Sequence, residues 1–369
     1  MTYTDDTIDL LRDSAAEFLA ERREFSAHKA DVTAAAPFAA DLWRELAELG
    51  WLGLGLPEEH GGPGFGLRES AVLCEQFGRV ASPVPYLAAS ALPAAVLKHA
   101  GHLDKLAPML TSGERPFAVA WQDTDAASPQ IIYEAAQVTG THRFVVAADN
   151  TSVLLVNASD QGAPLWVAVD AASPQVKLER FAMGIGDAAH VHFDHAPVLF
   201  GEPLMTGDAA QQATRDTQQA GRLAIAAQLI GLTSGVLDKT LAYVSDRVQF
   251  ARPIASFQSI RHRCVDLYIG MRLAKASLNT ALRAYEAAPD APATQAAISA
   301  AKARCGDVAV QTGREAIQMH GAMGFTEEGG VGVYLRAAMH LRAWLGTPMQ
   351  QRRQYLALRA AGEVNHVTA

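Results

Sequence analysis

Apolar residues in the C-terminal part of the chain recur in alternating steps of four and three along three consecutive stretches, 223–248, 260–282 and 298–312. Such spacing places the apolar side chains along one face of an α-helix. The faces are narrow and rich in alanine, which lets neighbouring helices approach closely. The pattern therefore predicts a tight antiparallel helical bundle, and such a bundle also tends to bury further faces against other subunits.

The residues before this bundle fall into two classes. Helical spacing recurs over 4–50 and 66–101, and the loop between them, 50–64, holds too many glycines and prolines to sustain a helix. Short β-type runs separated by polar turns follow between residues 116 and 198, which is typical of a small antiparallel barrel or sandwich. The runs are 117–121, 144–147, 153–156, 165–169 and 190–193.

This order of helices, strands and helices predicts an α+β chain with three domains. They are an N-terminal helical domain (1–113), a middle antiparallel β barrel or sandwich (114–206) and a C-terminal four-helix bundle (207–369). A length of 369 residues is too great for one simple core, which agrees with this division.

Composition and charge narrow the class of protein. The net charge of −8 and the absence of a basic run argue against a nucleic-acid partner. No apolar run approaches the ~20 residues that span a bilayer, and the acidic residues 1–13 do not form a secretory signal. Cys74, Cys264 and Cys305 have no metal or disulfide spacing, so they predict reduced, buried thiols in a cytoplasmic protein.

The first segment that carries chemistry follows the first bundle helix. Arg247 stands at a helix end and can offer a fixed guanidinium to a dinucleotide pyrophosphate, while Gln258 adds an amide that donates and accepts. Phe250 and Phe257 offer apolar walls. The alternative is an ordinary helix end, in which Arg247 is solvated and Ser256 is an N-cap.

A second segment, Gln318 to Gly324, has a similar character. Gly321 and Gly324 carry no side chain, so backbone can approach a ligand closely there, and Ala322 between them obstructs that approach slightly. A helix C-cap at Gly321 is an alternative that is compatible with binding.

These two segments, together with Trp344-Leu345-Gly346-Thr347 and residues 42–61, resemble the acyl-CoA dehydrogenase family over nearly the whole chain. The resemblance implies a flavoenzyme fold that desaturates acyl-CoA thioesters between Cα and Cβ with FAD. It further implies that Arg247, Phe250, Phe257, Gln258 and the segment 318–324 contact the ADP half of FAD across a subunit interface.

The residue that would remove the α-proton is missing from both positions that the family uses. Many members have Glu where this chain has Leu345, nine residues after Arg336. Others carry the base at the position that aligns with Gly221, beside Arg222. A thioester α-proton is weakly acidic and requires a positioned carboxylate, and the loss of a general base typically lowers a rate by ~10²–10⁴. The sequence therefore predicts no catalytic residue in this chain.

The middle domain also departs from the family pattern. A Thr-Glu-Pro and Gly-Ser-Asp region that contacts the flavin of the same subunit is replaced by residues 120–129, where Thr124 and Ser128 are read as an ordinary polar turn. The usual Trp-Ile-Thr has become Phe144-Val145-Val146, and Phe144 still offers an aromatic face.

The base and the middle-domain flavin contacts are lost, but the segments 247–258 and 318–324, which the resemblance places against the FAD of a neighbouring subunit, are kept. Such a division resembles the base-lacking subunit of bacterial α2β2 members, some of which act on steroid side-chain CoA thioesters. The resemblance then implies a homologous catalytic subunit, an acyl-CoA substrate and an electron-transfer flavoprotein as partners. The small groups at Leu345 and Gly221 suggest a bulky, polycyclic acyl group.

Two other functions stay open. One is a self-sufficient homotetrameric flavoenzyme with a relocated base, Glu327 or Glu328, although a solvated helix start with Thr326 as N-cap also explains these residues. The other is a flavin-free scaffold or CoA-thioester-binding protein.

Two further patterns predict no site. His190, His192 and His195 lack a carboxylate or cysteine at ligand spacing and predict a surface strand, not a metal site. Residues 184–186, Gly-Ile-Gly, are too short for a Rossmann fingerprint.

Overall fold

The computed structural model describes residues 5–21, 40–114, 116–121, 131–148, 151–182 and 187–367. The chain divides into two compact units. One contains residues 1–30, 71–84 and 222–369, and the other contains residues 31–70 and 85–221. The three predicted domain boundaries therefore stay a prediction.

Helices form the N-terminal part of the chain, as predicted. They are α1 (Asp5–Glu21), α2 (Ala40–Glu48), α3 (Leu67–Arg79), α4 (Leu92–Leu97) and α5 (Leu103–Thr111). The loop at 50–64 contains only two 3₁₀ turns, Trp51–Gly53 and Glu58–His60. Pro83 and Pro85 separate α3 from the π-helical turn Leu87–Ala91 that precedes α4.

An eight-stranded sheet follows. Its strands are β1 (Phe117–Ala120), β2 (Ile132–Glu134), β3 (Gln137–Val146), β4 (Val153–Asp160), β5 (Ala163–Asp170), β6 (Val176–Ala182), β7 (Asp187–Pro197) and β8 (Met205–Thr206). The order is β6-β7-β3-β2-β4-β5-β8, with β1 added beside β4. Most pairs are antiparallel, as predicted, but β1 and β2 each run parallel to β4. Inward-facing valines, alanines and leucines from these strands form one continuous buried cluster.

The C-terminal part is helical apart from one small hairpin. It contains α6 (Gly207–Asp246), the strands β9 (Val248–Gln249) and β10 (Arg252–Pro253), and then α7 (Gln258–Ala287), α8 (Pro292–His320), α9 (Gly332–Ala343) and α10 (Pro348–Val367). The three periodic stretches of the sequence lie largely within α6, α7 and α8. Helix α6 is long and apolar enough to cross a membrane, but 83% of its apolar window is buried within the fold, as in a core helix.

Glycines let α3 and α6 cross with their backbones in contact. A Cβ atom on Gly231 would lie 1.9 Å from the carbonyl oxygen of Glu75, and one on Gly235 would lie 1.9 Å from that of Arg79. Gly78, on α3, faces the Gln228 carbonyl oxygen in the same way, at 2.2 Å. The crossing therefore has no room for a methyl group at any of the three positions.

A buried lysine from α8 binds the C-terminal carbonyl groups of α9. Lys302, on α8, is 1% exposed, and its Nζ donates to the carbonyl oxygens of Leu341 (2.9 Å) and Arg342 (3.1 Å) in the last turn of α9. Asp307, one turn further along α8, accepts hydrogen bonds from Arg342 and from Arg352 of α10. These contacts fasten α8, α9 and α10 together, as do their apolar faces. All three cysteines are free and buried, as predicted.

Candidate functional site

A small apolar cluster holds the segments that carry the predicted nucleotide contacts. It joins the end of α6, the start of α7 and the end of α8 through the buried residues Leu237, Val244, Cys264, Leu267 and Met319. Ile254 and Ile260, on either side of Gln258, pack against it. The three segments are therefore fixed relative to one another within one compact unit.

Arg247 lies directly after α6. Its N–H donates to Tyr243 O (2.9 Å), and its carbonyl oxygen accepts from the Ile254 N–H (2.9 Å), which closes the hairpin behind it. Its guanidinium is exposed and makes no hydrogen bond or ion pair with any residue that the structure describes. This exposure fits both predicted alternatives, a solvated guanidinium at a helix end and a guanidinium that binds an anion from outside the chain.

The two phenylalanines lie at the hairpin. Phe250 forms its tip and is 87% exposed, and its ring meets the half-buried ring of Phe257 edge-on at 6.0 Å. Gln258 is the exposed first residue of α7. The alternative assignment of Ser256 as an N-cap is wrong: Ser256 lies in the 3₁₀ turn Ile254–Ser256, and Phe257 precedes the helix in extended conformation without a side-chain cap.

The turn of the hairpin is strained. Phe250 and Ala251 have φ angles of 54° and 63°. Two-residue hairpin turns of this kind normally use Asn and Gly, because an L side chain in the left-handed region costs roughly 1–2 kcal/mol.

We expect Ala251→Gly to raise the free energy of unfolding by about 0.5–1 kcal/mol, since glycine removes the strain and loses part of that gain in the unfolded chain. Urea denaturation measures the change. Ala255→Gly, four residues on and without a positive φ, is the control and should lower stability. A destabilised Ala251→Gly protein would contradict the strain.

The imidazole of His320 fixes the end of α8 against Tyr243. His320 stacks on Tyr243 with ring centroids 4.1 Å apart, and the Tyr243 hydroxyl donates to His320 O (3.2 Å). The Nδ1 atom lies 2.8 Å from Ala316 O, which can only accept, so Nδ1 carries the proton. Burial lowers the pKa of His320, which favours the neutral ring.

This contact positions Gln318 and the glycine segment. Gln318 and Ala322 are exposed, and the predicted C-cap at Gly321 is confirmed, with its N–H directed to Gln318 O. Gly321 has a φ of 60° and open space where a Cβ would lie. At Gly324 the fold itself requires glycine, because a Cβ there would lie 2.5 Å from Ile317 O.

Neither expected base position carries a proton acceptor. Leu345 is 7% exposed and has a φ of 55°, and its carbonyl oxygen accepts from Gln351 Nε2 (2.9 Å) and Arg222 Nε (3.3 Å). Gly221 is buried within α6. The polar groups around Leu345 thus hold its backbone, while its side chain has no basic atom.

Glu327 and Glu328 lie in an exposed turn. The assignment of Thr326 as a helix N-cap is wrong, because α9 begins only at Gly332. Instead, Thr326 Oγ1 donates to Met323 O (2.9 Å) and accepts from the Gly329 N–H (3.2 Å), which closes the turn.

On the sheet, Phe144 is 61% exposed at a bulge of β3, with a φ of 57°. Its ring meets those of Phe181 and His190. His192 binds Thr141 Oγ1 through Nδ1 (2.9 Å), and no metal-binding group of three ligands occurs among the described residues. Thr124, Ser128 and the 184–186 segment lie outside the described residues.

The sequence reasoning missed the supporting residues. Tyr243 and Gln351 were not singled out, and Arg222 appeared only as the neighbour of Gly221. A usable signal was the position of Tyr243 four residues before Arg247, on the last turn of its helix.

Comparison with known proteins gives the family. The acyl-CoA dehydrogenase N-terminal domain matches residues 5–114, and the acyl-CoA dehydrogenase C-terminal domain matches residues 212–357. The acyl-CoA dehydrogenase IpdE2 of Mycolicibacterium smegmatis is 29% identical over 350 residues, which are 94% of this chain and 96% of that protein.

Solved structures are similar over the whole chain. A variant of the Tcur3481–Tcur3483 steroid ACAD has a TM-score of 0.86 at 27% identity, covering 98% of this chain and 99% of that one. The ChsE4–ChsE5 complex of Mycobacterium tuberculosis has a TM-score of 0.85 at 24% identity, covering 97% and 98% of the two chains, and at that identity it supports the fold alone.

Proposed function

The chain belongs to the acyl-CoA dehydrogenase family of flavoprotein oxidoreductases, and from this premise we propose that it is the non-catalytic subunit of a heteromeric member. The observation that carries the proposal is the absence of a carboxylate at both base positions, Leu345 and Gly221, combined with an exposed, unengaged Arg247. The likeness to the steroid ACAD made of Tcur3481 and Tcur3483 supports it.

The family uses FAD, and the residues around Arg247 fit its ADP end. Among the described residues, the side chains of Arg247, Gln258 and Gln318 have no hydrogen-bond partner, although the cluster beneath them is well packed. The open space at Gly321 leaves room for a ligand beside them. We assign the pyrophosphate to Arg247 and Gln258 and the adenosine side to residues 318–324, with Phe250 and Phe257 as apolar walls.

Catalysis is then divided between two subunits. When bound, FAD accepts the hydride that leaves Cβ of the acyl group. The homologous catalytic subunit would supply the glutamate that removes the α-proton and would pass electrons to an electron-transfer flavoprotein. This chain would hold the nucleotide end of the cofactor and orient it. A bulky or steroid-like acyl-CoA and a cytoplasmic location are parts of the proposal.

An exposed apolar stripe supports a protein partner. Val265, Ile269 and Leu273 lie four residues apart on α7, Tyr268 lies three residues after Val265, and each is about half exposed. Helix neighbours at this spacing share one face. An apolar stripe of this kind on a surface helix is typical of a subunit interface.

Expression alone and together with the homologue encoded beside it tests the proposal. We expect flavin absorbance only from the complex, and we expect acyl-CoA turnover by the single chain to be lower than that of the complex by ~10²–10⁴ or more, because the single chain lacks a base. Arg247→Ala in the complex should lower flavin retention about tenfold, since a charge-assisted hydrogen bond is lost.

Arg283→Ala, an exposed arginine on α7, is the matched control for the loss of charge and should leave flavin retention unchanged. A yellow single chain that oxidises acyl-CoA at the rate of the complex would overturn the proposal.

A further inference from the structure

We infer that Arg252 is a second phosphate-binding residue, which acts beside Arg247 on one face of the β9–β10 hairpin. The inference rests on the proposed nucleotide site and extends it. This chain would then supply two guanidinium groups for two phosphates. The second group, that of Arg252, lies outside the predicted contact residues.

The register of the hairpin places the two arginines on the same side. Arg252 pairs with Gln249, and Pro253 pairs with Val248. The next pair is Arg247 and Ile254, joined by the Ile254 N–H and the Arg247 carbonyl oxygen. Because side chains alternate faces along a strand and directly paired residues share a face, this register places Arg247, Gln249, Arg252 and Ile254 on one face, where Ile254 packs against the apolar cluster at the base of the hairpin.

Arg252 is held in place by an aromatic ring. Its guanidinium carbon lies 4.2 Å from the centroid of the Phe257 ring. A guanidinium that lies over a ring keeps its N–H groups free in its own plane, so it can still donate to a phosphate. The ring also limits the rotamers of Arg252, which lowers the entropy lost on binding.

The hairpin keeps this register at the expense of backbone strain in its turn. A two-residue turn requires positive φ at both Phe250 and Ala251. A longer loop would relieve the strain but would change the register that sets Arg252 against Gln249. Strain kept at such a position is typical of a binding site.

The charges of the two arginines also favour a phosphate ligand. The chain carries a net charge of −8, yet neither Arg247 nor Arg252 has a carboxylate partner among the residues described. A pyrophosphate carries two negative charges at neutral pH, and one guanidinium balances only one of them. Two guanidiniums on one face match a diphosphate better than a monophosphate.

Titration of the flavin-stripped complex of this chain with its catalytic subunit, with ADP and with AMP, tests the inference, and ligand-observed NMR follows the binding. We expect the wild-type complex to bind ADP about tenfold more tightly than AMP, because only ADP reaches both arginines. Arg252→Ala should weaken ADP binding about tenfold, leave AMP binding unchanged and bring the ratio close to one.

Conservative variants separate binding from structure. Arg252→Lys keeps the charge without the fork and should restore part of the ADP preference, and Phe257→Leu should lower it while keeping the apolar contact. Arg283→Ala should change nothing. If Arg252→Ala and Arg252→Lys both lower the thermal midpoint and neither changes the ratio, the residue is structural and the inference fails.

The two proposals fail differently. ADP binding that is lost in Arg247→Ala and intact in Arg252→Ala would overturn the role of Arg252 and leave the proposed nucleotide site standing. ADP binding that neither variant changes, or no ADP binding at all, would overturn both.

Discussion

Replacing Gly231 with alanine is expected to lower the free energy of unfolding by about 3 kcal/mol or more. The added Cβ would lie 1.9 Å from Glu75 O and 2.8 Å from Arg79 N, and both are backbone atoms in the middle of a helix crossing. They cannot rotate away as a side chain can, so α3 and α6 must separate. Separation removes the contacts of Gly78 and Gly235 as well.

The consequence reaches the candidate site through α6. The Arg79 carbonyl oxygen, which faces Gly235, also accepts a hydrogen bond from the Tyr334 hydroxyl (3.1 Å), and Arg79 pairs with Asp238 (2.5 Å). A shift of α6 therefore disturbs the helix whose end carries Arg247. We expect a fall in the thermal midpoint of more than about 5 °C, measured by circular dichroism.

Gly270→Ala is the matched control, because it makes the same change within a helix of the same unit. Its Cβ would lie 3.8 Å from Val308 Cγ1, an ordinary contact. That variant should gain about 0.5–1 kcal/mol from the better helix propensity of alanine. Equal midpoints for the two variants would show that the crossing tolerates a methyl group.

Periodicity was a good guide to the helices. The stretches 223–248, 260–282 and 298–312 lie largely within α6, α7 and α8, because each helix buries one continuous apolar face that the sequence displays directly. The glycines of the α3–α6 crossing were missed, although Gly231 and Gly235 stand four residues apart. A close crossing depends on two distant helices, and only one of them contains that pair.

The strands were harder to predict. All five predicted runs correspond to strands, but β6 was missed because it lies at the edge of the sheet and most of its residues are at least partly exposed. The three-residue β2 was missed because so short a strand has no period of its own. The parallel pairing of β1 with β4 joins residues far apart in sequence, and local patterns do not indicate it.

The candidate site was likewise predicted only in part from the sequence. Side-chain chemistry identified Arg247, Gln258 and Gln318 as candidates, and the structure leaves these groups exposed. Backbone geometry was not visible in the sequence. The positive φ of Leu345 and of the turn residues Phe250 and Ala251 depends on the surrounding hydrogen bonds and register, which no propensity scale contains.

A different experiment addresses the support beneath that site. Burial lowers the pKa of Lys302 from 10.5 to about 7, against an opposing effect of Cys305 and with a smaller contribution from the nearby guanidiniums of Arg222 and Arg342. Between pH 7 and 10.5 the unfolded chain therefore binds a proton at this lysine that the folded chain does not. The free energy of unfolding should rise with pH across that window, and the stability is lost as pH falls towards 7.

In the folded chain, the other groups near Lys302 titrate outside the chosen range. Burial, reinforced by the charge of Lys302, lowers the pKa of His340 to about 4, so this ring stays neutral above pH 7. Burial raises the pKa of Cys305 to about 12, so in the folded chain its thiol stays protonated below pH 9. In the unfolded chain the thiols titrate within this range and oppose the gain, and because they do so in wild type and in a Lys302 variant alike, the difference between the two proteins from pH 7.5 to pH 9.0 isolates the lysine.

We expect this lysine to contribute about 2 kcal/mol to the gain in stability between pH 7.5 and pH 9.0, and the contribution should disappear in Lys302→Met. Methionine keeps the length and apolar packing of the side chain but leaves the carbonyl oxygens of Leu341 and Arg342 without their donor, so the variant should also be less stable than wild type at pH 9.0. Urea denaturation followed by tryptophan fluorescence measures both effects. Lys275→Met, which removes a partly exposed lysine paired with Glu75, is the control and should keep the wild-type pH dependence. An unchanged slope in Lys302→Met would mean that Lys302 stays charged in the folded chain, and that its two carbonyl contacts are strong enough to offset its burial.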